Sequence, residues 1–270
     1  MKNQLEFAAT FRSLHQPGRP LVLFNAWDAG SAKSILDAGG RAAVLEGDTL
    51  VLLGGGPREA LGRIADLPIA AGGAARYNVA NALAAAAAAE GLSLPLEAVR
   101  ATLCRFGLDP GDNPGRANVY ERNGITIVVD YAHNPHGLSA LAGALAGVPS
   151  QRRLVMIGQA GDRDDGAIRE LARTALALRP DRVVAKEIDA YLRGRAPGEV
   201  PGIIADELRR AGLPDEAIGT APSEVSAVRE ALEWARPGDL LVLALHQQRR
   251  EVEELLRGLG WLAGRPLMSL

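Results

Sequence analysis

The sequence predicts an α/β protein in which a C-terminal domain with a mostly parallel sheet follows a smaller region of strands and helices. Beyond residue 113, apolar strand-like runs alternate with helical stretches, which is the pattern of an open α/β sheet. The runs at residues 155–157 and 240–243 are continuously apolar, as expected for strands buried on both faces. Residues 109–115 are rich in proline, glycine, aspartate and asparagine, which predicts a domain boundary there.

The region before this boundary is predicted to contain short strands followed by two helices. Strand composition occurs at residues 42–45 and 49–53 and, more weakly, at residues 64–69. Pro68 restricts the last of these to a sheet edge or a loop, because proline cannot donate a ladder hydrogen bond. Helices are expected at residues 77–90 and 95–105, and the alanine run of the first favours helix.

The region after the boundary opens with a predicted hairpin. Its strands, at residues 117–121 and 125–130, flank Asn123 and Gly124, a dipeptide that favours tight two-residue turns. Helices are then expected at residues 136–146, 164–178, 200–211, 223–235 and 248–258, and strands at residues 153–158, 182–187 and 239–245. This alternation predicts a single open sheet.

Composition and charge argue against several classes of protein. The chain of 270 residues has a net charge of -2, so a nucleic-acid-binding surface is not indicated. Cys104 is the only cysteine, which excludes an internal disulfide and a cysteine-based zinc site. The most apolar stretch, residues 80–89, is too short to span a bilayer, and residues 1–6 lack the apolar core of a signal peptide. We therefore expect a cytoplasmic protein with neither a membrane nor a nucleic-acid partner.

The residues best suited to chemistry follow the predicted strand at residues 125–130. Asp130, His133 and Asn134 place a carboxylate, an imidazole and an amide at the carboxyl end of a strand, where open parallel sheets bind ligands. A turn that caps the next helix is the alternative, and Asn134 followed by Pro135 fits a cap as well as it fits a ligand site. For Asp130 and His133 together we favour a ligand site.

A second polar loop, residues 158–165, follows the next predicted strand. It lacks the third glycine of a dinucleotide-binding loop and the later acidic residue in register. Asp162 or Asp164 could cap the following helix. Arg163 lies beside a glycine turn and is suited to bind a carboxylate or a phosphate.

Several sequence blocks resemble Mur-type ligases, which are enzymes that form amide bonds at the expense of ATP. Residues 76–85 (RYNVANALAA) resemble the helix start that closes their central ATPase domain. Residues 114–116 (PGR) and 128–135 (VVDYAHNP) resemble the opening of their C-terminal domain, in matching order and spacing. Residues 158–163 (GQAGDR) and 186–195 (KEIDAYLRGR) are most similar to cyanophycin synthetase and its relatives.

The resemblance begins near Arg41 and implies a division of the chain into three parts. We assign residues 1–40 to a separate N-terminal fragment. Residues 41–112 are the strand-and-helix tail of a truncated central ATPase domain, and residues 113–270 form a Rossmann-like C-terminal ligase domain.

The reaction that the resemblance implies joins an acid to an amino acid. ATP phosphorylates a carboxylate, and an amine then displaces phosphate from the acyl phosphate. By motif position, Asn78 would contact the adenine and Asp130 the ribose hydroxyls, with Asn134 beside them in the cofactor site. Arg116 and His133 would approach the phosphates as catalytic groups, because the arginine fork offsets transferring charge.

The same resemblance places the incoming amino acid against the C-terminal domain. Arg163, Lys186 and Arg193 are the expected substrate-binding residues. For Arg193, and for Arg195 near it, a solvated charged loop is an equal alternative.

The phosphate-binding half of such an enzyme is not found among these residues. Its P-loop has the form GxxGKT, whereas no Gly-Lys dipeptide occurs here. The magnesium-binding residues and the activated lysine of the family belong to the same missing part. We therefore expect a truncated ligase that binds ATP but is weakly active or inactive alone, with magnesium only a family expectation. The alternative is a non-catalytic binding or regulatory module that partners a complete ligase.

The beginning of the chain carries a different resemblance. Residues 11–32 (FRSLHQPGRPLVLFNAWDAGSA) resemble the opening strand and helix of the isocitrate lyase and phosphoenolpyruvate mutase superfamily. Those enzymes are (β/α)8 barrels, which one strand and one helix cannot build. A lyase function is therefore not expected.

Overall fold

The computed structural model describes residues 42–53 and 57–263, which belong to two compact units. The first unit ends at Phe106 and the second begins at Gly107, shortly before the loop at residues 109–115 where the sequence predicted a boundary. The lyase-like segment at residues 1–40 lies outside the described residues. Assignment of residues 41–112 to the tail of a central ligase domain stays a prediction.

In the first unit, a small antiparallel sheet packs against helices. Its strands are β1 (Ala42–Glu46), β2 (Thr49–Leu53) and β3 (Glu59–Arg63), in the order β1-β2-β3. Helices α1 (Arg76–Gly91) and α2 (Leu96–Leu103) follow at nearly the predicted positions. Sheet and helices share a core that includes Leu50, Leu61, Leu67, Val79, Ala82 and Leu103.

The sequence pattern was misleading around β3. The weak strand expected at residues 64–69 is wrong, since Ile64–Asp66 and Pro68–Gly73 form 3-10 turns. The strand lies earlier, at Glu59–Arg63, where Leu61 is the one buried residue. Among the described strands β3 pairs with β2 alone, and a strand with a single buried side chain carries little hydrophobic signal.

The second unit opens with the predicted hairpin. Strands β4 (Asn118–Arg122) and β5 (Ile125–Asp130) pair antiparallel. The two turn residues, Asn123 and Gly124, have φ angles of 51° and 75°, as the tight turn requires.

A seven-stranded, mostly parallel sheet forms the centre of this unit, so the predicted α/β class is confirmed. The further strands are β6 (Arg153–Ile157), β7 (Arg182–Lys186), β8 (Ile218–Ala221), β9 (Leu240–Ala244) and β10 (Leu262–Ala263). The spatial order is β10-β4-β5-β9-β6-β7-β8, and the five strands from β5 to β8 in this order run parallel. The helices are α3 (Pro135–Leu145), α4 (Asp165–Ala175), α5 (Glu199–Arg210), α6 (Glu224–Trp234) and α7 (Arg249–Gly258).

The central strands are buried on both faces, as their continuous apolar runs predicted. Neighbouring residues Val155 and Met156, which point to opposite faces, are both fully buried. One face packs against Val228 of α6 and Leu256 of α7, within a core that includes Ile127 and Leu243.

Two strands of this sheet were missed by the sequence prediction. Strand β8 has the sequence IGTA, whose glycine and small polar residue give no apolar run, and it pairs only with β7 at the edge. Of strand β10, the described part of the chain contains two residues, too few to give a pattern. Within residues 42–53 and 57–263, every helix is too short or too polar to cross a membrane.

Candidate functional site

Four polar segments meet at one edge of the seven-stranded sheet. Each follows the carboxyl end of one of four adjacent strands. Residues 131–134 follow β5, residues 245–248 follow β9, residues 158–163 follow β6 and residues 187–195 follow β7. Because parallel strands end at the same edge, segments far apart in sequence are brought together there. This edge is where open α/β sheets bind ligands.

Asp130 is the buried anchor of the first segment. Its side chain accepts hydrogen bonds from the backbone N–H of Ala132 at 2.7 Å and of Ala117 at 2.9 Å. Burial raises the pKa of Asp130, while these two bonds and the charge of Arg116 act in the opposite direction. A carboxylate can accept about four hydrogen bonds, so Asp130 can also accept from a ligand hydroxyl.

Arg116 and His133 lie beside the same aromatic ring. The guanidinium of Arg116 is 4.9 Å from the centroid of the Tyr131 ring, and the His133 ring centroid is 5.2 Å from it. Both polar side chains are exposed, so a ligand can reach them. The structure therefore brings Arg116, Asp130 and His133 into one region, and their binding roles stay predictions.

Two residues for which the sequence left a cap open do cap helices. The Asn134 side chain accepts from the N–H of Gly137 at 2.8 Å, at the N-terminus of α3. The amide nitrogen of Asn134 lies 3.2 Å from Nε2 of His133, and so orients that ring. At α4 the cap is Asp164, which accepts from Ala167 at 2.8 Å. Capping leaves the expected ligand role of Asn134 untested.

A cavity of about 230 Å³ lies beside this turn. Its lining includes Tyr131, His133, Gln159, Arg163, Arg193 and His246. Arg193 is paired with Asp162 at 2.9 Å. Arg163 is exposed, and its guanidinium forms no ion pair with a described residue. Arg163 is thus the positive charge that the cavity leaves available.

Gln159 is a polar residue of the cavity that the sequence did not single out. It is only 5% exposed, and within the described ranges no residue forms a hydrogen bond with its side-chain amide. The side-chain amide of Gln159 borders the cavity, where water or a ligand can satisfy it. Gln159 is therefore a candidate ligand contact.

The loop at residues 187–195 is held tightly against the loop at residues 158–163. A Cβ atom on Gly161 would lie 2.0 Å from the carbonyl oxygen of Leu192, so only glycine permits this approach. Arg195 donates to the carbonyl oxygens of Gly161 and Arg163 at 3.0 and 2.7 Å. With 16% of its side chain exposed, Arg195 is a structural link and not the solvated residue considered from sequence.

Lys186, at the end of β7, is completely buried. Its ammonium group is paired with Glu224 and donates to Nδ1 of His246 at 2.8 Å. Burial lowers the pKa of Lys186 to about 8, although Glu224 favours its charged form. A direct contact between Lys186 and a substrate, as expected from sequence, would require this network to open.

Asn78 belongs to the first unit. Its side-chain nitrogen donates to the carbonyl oxygen of Ile69 at 2.8 Å, and its oxygen accepts from Asn81 at 3.3 Å. The residue is buried. A shared site of Asn78 with Arg116 and Asp130 stays a prediction.

Comparison with known proteins assigns the second unit. Residues 115–244 match the family described as Mur ligase, glutamate ligase domain. The second unit is therefore similar to this ligase domain over residues 115–244. The expected resemblance of residues 1–40 to lyases is not supported by the relatives found.

The sequence relatives of this chain are longer proteins. Cyanophycin synthetase of Trichormus variabilis is 30% identical over 86% of this chain and 26% of its own length. The UDP-N-acetylmuramoyl-L-alanyl-D-glutamate–2,6-diaminopimelate ligase of Alkalilimnicola ehrlichii is 36% identical over 77% of this chain and 40% of its own. This chain thus spans about a quarter of the cyanophycin synthetases that it matches.

The fold also matches solved ligase structures. Mycobacterium tuberculosis folylpolyglutamate synthase complexed with ADP is 25% identical, with a TM-score of 0.51, over 75% of this chain and 43% of that one. The common element is the α/β fold with its mostly parallel sheet.

Two site residues, His246 and Glu224, were missed by the sequence reasoning, and only His246 gave a signal that could have found it. His246 lies two residues beyond the end of the apolar strand β9, and Asp130 ends β5, so the strand-end criterion also applies to His246. Glu224 gave no such signal, since an acidic residue in the first turn of a helix is common.

No group of three or more histidine, cysteine, aspartate or glutamate residues in the described ranges is placed to hold a metal ion.

Proposed function

We propose that this chain provides the nucleotide-binding face and amino-acid pocket of an ATP-dependent acid–amino acid ligase that forms an amide through an acyl phosphate. The observation that carries the proposal is the position of Asp130, Arg116 and His133 next to the cavity lined by Arg163 and Gln159. An arginine and a histidine beside a buried carboxylate suit a nucleotide, and an arginine without a described ion-pair partner beside an amide suits an amino acid.

For the nucleotide, each side chain has a distinct task. Asp130 accepts from the ribose hydroxyls while its other lone pairs hold the backbone of Ala117 and Ala132. Arg116 and His133 approach the phosphates. The folylpolyglutamate synthase relative was solved with ADP, which supports the same ligand class here.

For the amino acid, Arg163 supplies the charge that pairs with a carboxylate. Arg193 is already paired with Asp162, so it shapes the pocket and adds less free charge. Gln159 can donate and accept, which suits the polar groups of an amino acid. The relatives named above as ligases of amino acids support this class of substrate.

The nucleotide part of the proposal is tested by ADP titration in a calorimeter. Replacing Asp130→Asn removes the charged acceptor, and we expect the dissociation constant for ADP to rise tenfold or more. Asp181→Asn is the matched control, because Asp181 lies at the opposite end of the sheet, where it accepts from Arg153 at 2.7 Å. Equal ADP binding by the Asp130 variant would contradict the assignment.

Catalysis by these 270 residues alone is expected to be absent or weak. The γ-phosphoryl group needs a lysine, backbone donors and magnesium, and a single lost donor already costs on the order of a hundredfold in rate. The measurement is amino-acid-dependent phosphate release from ATP, with a magnesium-free control. Turnover of about 1 per second or faster would show that the phosphate site is present.

The alternative, a binding module that partners a complete ligase, shares the expected ADP binding. It differs in that addition of this chain would change the rate of a full-length Mur-type ligase, whereas the leading proposal expects no such effect.

A further inference from the structure

A buried network connects the last strands of the sheet to the turn that carries Asp130 and His133. Glu224, at the first position of α6, accepts hydrogen bonds from the backbone N–H groups of His246, Gln247 and Gln248 at 2.7, 3.0 and 2.6 Å. It also binds the ammonium group of Lys186. The carboxylate is thus fully satisfied, and it fixes the loop that follows β9.

The His246 ring is held from both of its nitrogens. Nδ1 lies 2.8 Å from the Lys186 ammonium, which can only donate, so Nδ1 accepts. Nε2 lies 3.1 Å from the carbonyl oxygen of Ala132, which can only accept, so Nε2 carries the proton. The side chain is 4% exposed. Only the neutral Nε2–H tautomer satisfies both contacts.

The network ends in the turn between Asp130 and Asn134. Ala132 is held by its N–H on Asp130 and by its carbonyl on His246. The Tyr131 ring meets the His246 ring edge-on, with centroids 5.3 Å apart. A shift of His246 would therefore move the turn that carries His133.

The buried side chain of Lys186 restricts which residue can occupy position 158. A Cβ on Gly158, at the end of β6, would come within 2.8 Å of Cε of Lys186 and 2.6 Å of its carbonyl oxygen. Only a glycine leaves room for the lysine stem there.

We infer that Lys186 is a positioning residue: with Glu224 it holds His246 as the Nε2–H tautomer, and His246 in turn fixes the turn that presents Asp130 and His133 to the nucleotide. Lys186 acts from the interior without touching the ligand. Its effect on nucleotide binding rests on the proposed function, whereas its control of His246 does not.

The control of His246 is measured by NMR on protein with ¹⁵N-labelled histidine. The chain has only four histidines, so each ring can be followed separately. At pH 5 we expect one ring, absent from the His246→Phe variant, to remain neutral with its proton on Nε2. In Lys186→Met this ring should begin to titrate or change tautomer, and the signals of His133 should shift. A His246 that titrates near its ordinary value in the unmodified chain, or is unchanged in the variant, would overturn the proposal.

The effect on the ligand is measured with ADP. Lys186→Met and His246→Phe should each raise the dissociation constant tenfold or more. Arg152→Met is the matched control: it breaks the ion pair with Asp239, whose side chain is buried, at the other end of the sheet, and its ADP binding should stay within twofold. ADP binding by Lys186→Met equal to that of the unmodified chain would refute the positioning role.

Two further outcomes remain decisive. If Lys186→Met does not fold, the double variant Lys186→Met with Glu224→Gln removes both charges and takes its place. If the unmodified chain does not bind ADP, the proposed function fails, while the His133 signals still report whether Lys186 positions the turn. Unchanged His133 signals would then reject the positioning role on their own.

Discussion

The seven-stranded sheet holds an ion pair with a buried carboxylate at each end, and the two are built differently. At the amino end, Arg152 pairs with Asp239 at 2.5 Å and lies over the Trp234 ring, 3.9 Å from its centroid. The Arg152 side chain is 30% exposed, so water solvates its guanidinium group. At the carboxyl end, Lys186 and Glu224 are both shielded completely, and the pair continues through His246.

The difference shows how similar chemistry serves two purposes. The amino-end pair makes local contacts, since Asp239 also accepts a hydrogen bond at 2.7 Å from the backbone N–H of Arg236, three residues away in the chain. It ties the starts of β6 and β9 together. The carboxyl-end pair is connected to the loops where ligands of such sheets bind. Stability alone does not require a lysine there, because apolar residues often replace buried ion pairs without loss.

The largest expected effect is on the free energy of unfolding. Lys186→Met leaves the Glu224 charge buried without its partner and should cost about 3–5 kcal/mol. Arg152→Met should cost less, about 1–3 kcal/mol, because solvent reaches that end. Urea denaturation of both variants measures the difference. A larger loss for Arg152→Met would mean that the two pairs have been ranked in the wrong order.

The next effect is on pH dependence. Burial, together with the charge of Lys186, lowers the pKa of His246 to about 3 from its ordinary 6.5, although Glu224 favours the charged form and His133 adds slight repulsion. The unfolded chain takes up a proton below pH 6.5 that the folded chain cannot, so stability falls as pH decreases towards 3. At pH 5 this amounts to about 2 kcal/mol.

The His246→Phe variant isolates that contribution. Between pH 7 and pH 5 the unmodified chain should lose about 2 kcal/mol more stability than the variant does. Urea unfolding at both pH values gives the comparison. Parallel losses in the two proteins would show that His246 is protonated in the folded state.

An effect of similar size is expected from packing against the lysine. Gly158→Ala places a methyl group against the Lys186 backbone and stem, and should destabilise the fold by about 1–3 kcal/mol. Gly143→Ala in α3 is the control, since nothing lies within 4 Å of its new Cβ and alanine favours helix. Thermal unfolding of both variants should give shifts of opposite sign, and a neutral Gly158→Ala would show that the lysine stem can move aside.

The smallest effect on stability is expected at the cavity. Arg163→Met removes an exposed charge with no described ion-pair partner, so the free energy of unfolding should change by about 0.5 kcal/mol or less. Affinity for an amino acid should fall instead, as measured by calorimetry across the common amino acids in the presence of ADP. Arg229→Met on the exposed part of α6 controls for net charge. Reduced stability without loss of binding would assign Arg163 to the fold.

Much of the fold followed from local pattern. The hairpin at Asn123 and Gly124, the buried central strands and most helix positions were predicted, because turn chemistry and apolar runs are properties of neighbouring residues. Strands β3 and β8 were not, because an edge strand is stabilised mainly by the strand beside it. Its own side chains carry little signal.

The candidate site divides in the same way. The sequence by itself determined that Asp130, His133 and Arg163 follow strand ends, because an apolar run followed by polar residues is visible in one segment. Only the tertiary structure decided that Lys186 lies inside, and that Glu224 and His246 enclose it from 38 and 60 residues away. Burial and tautomer depend on which segments meet at the sheet edge, and that meeting is set by strand order, which no single segment encodes.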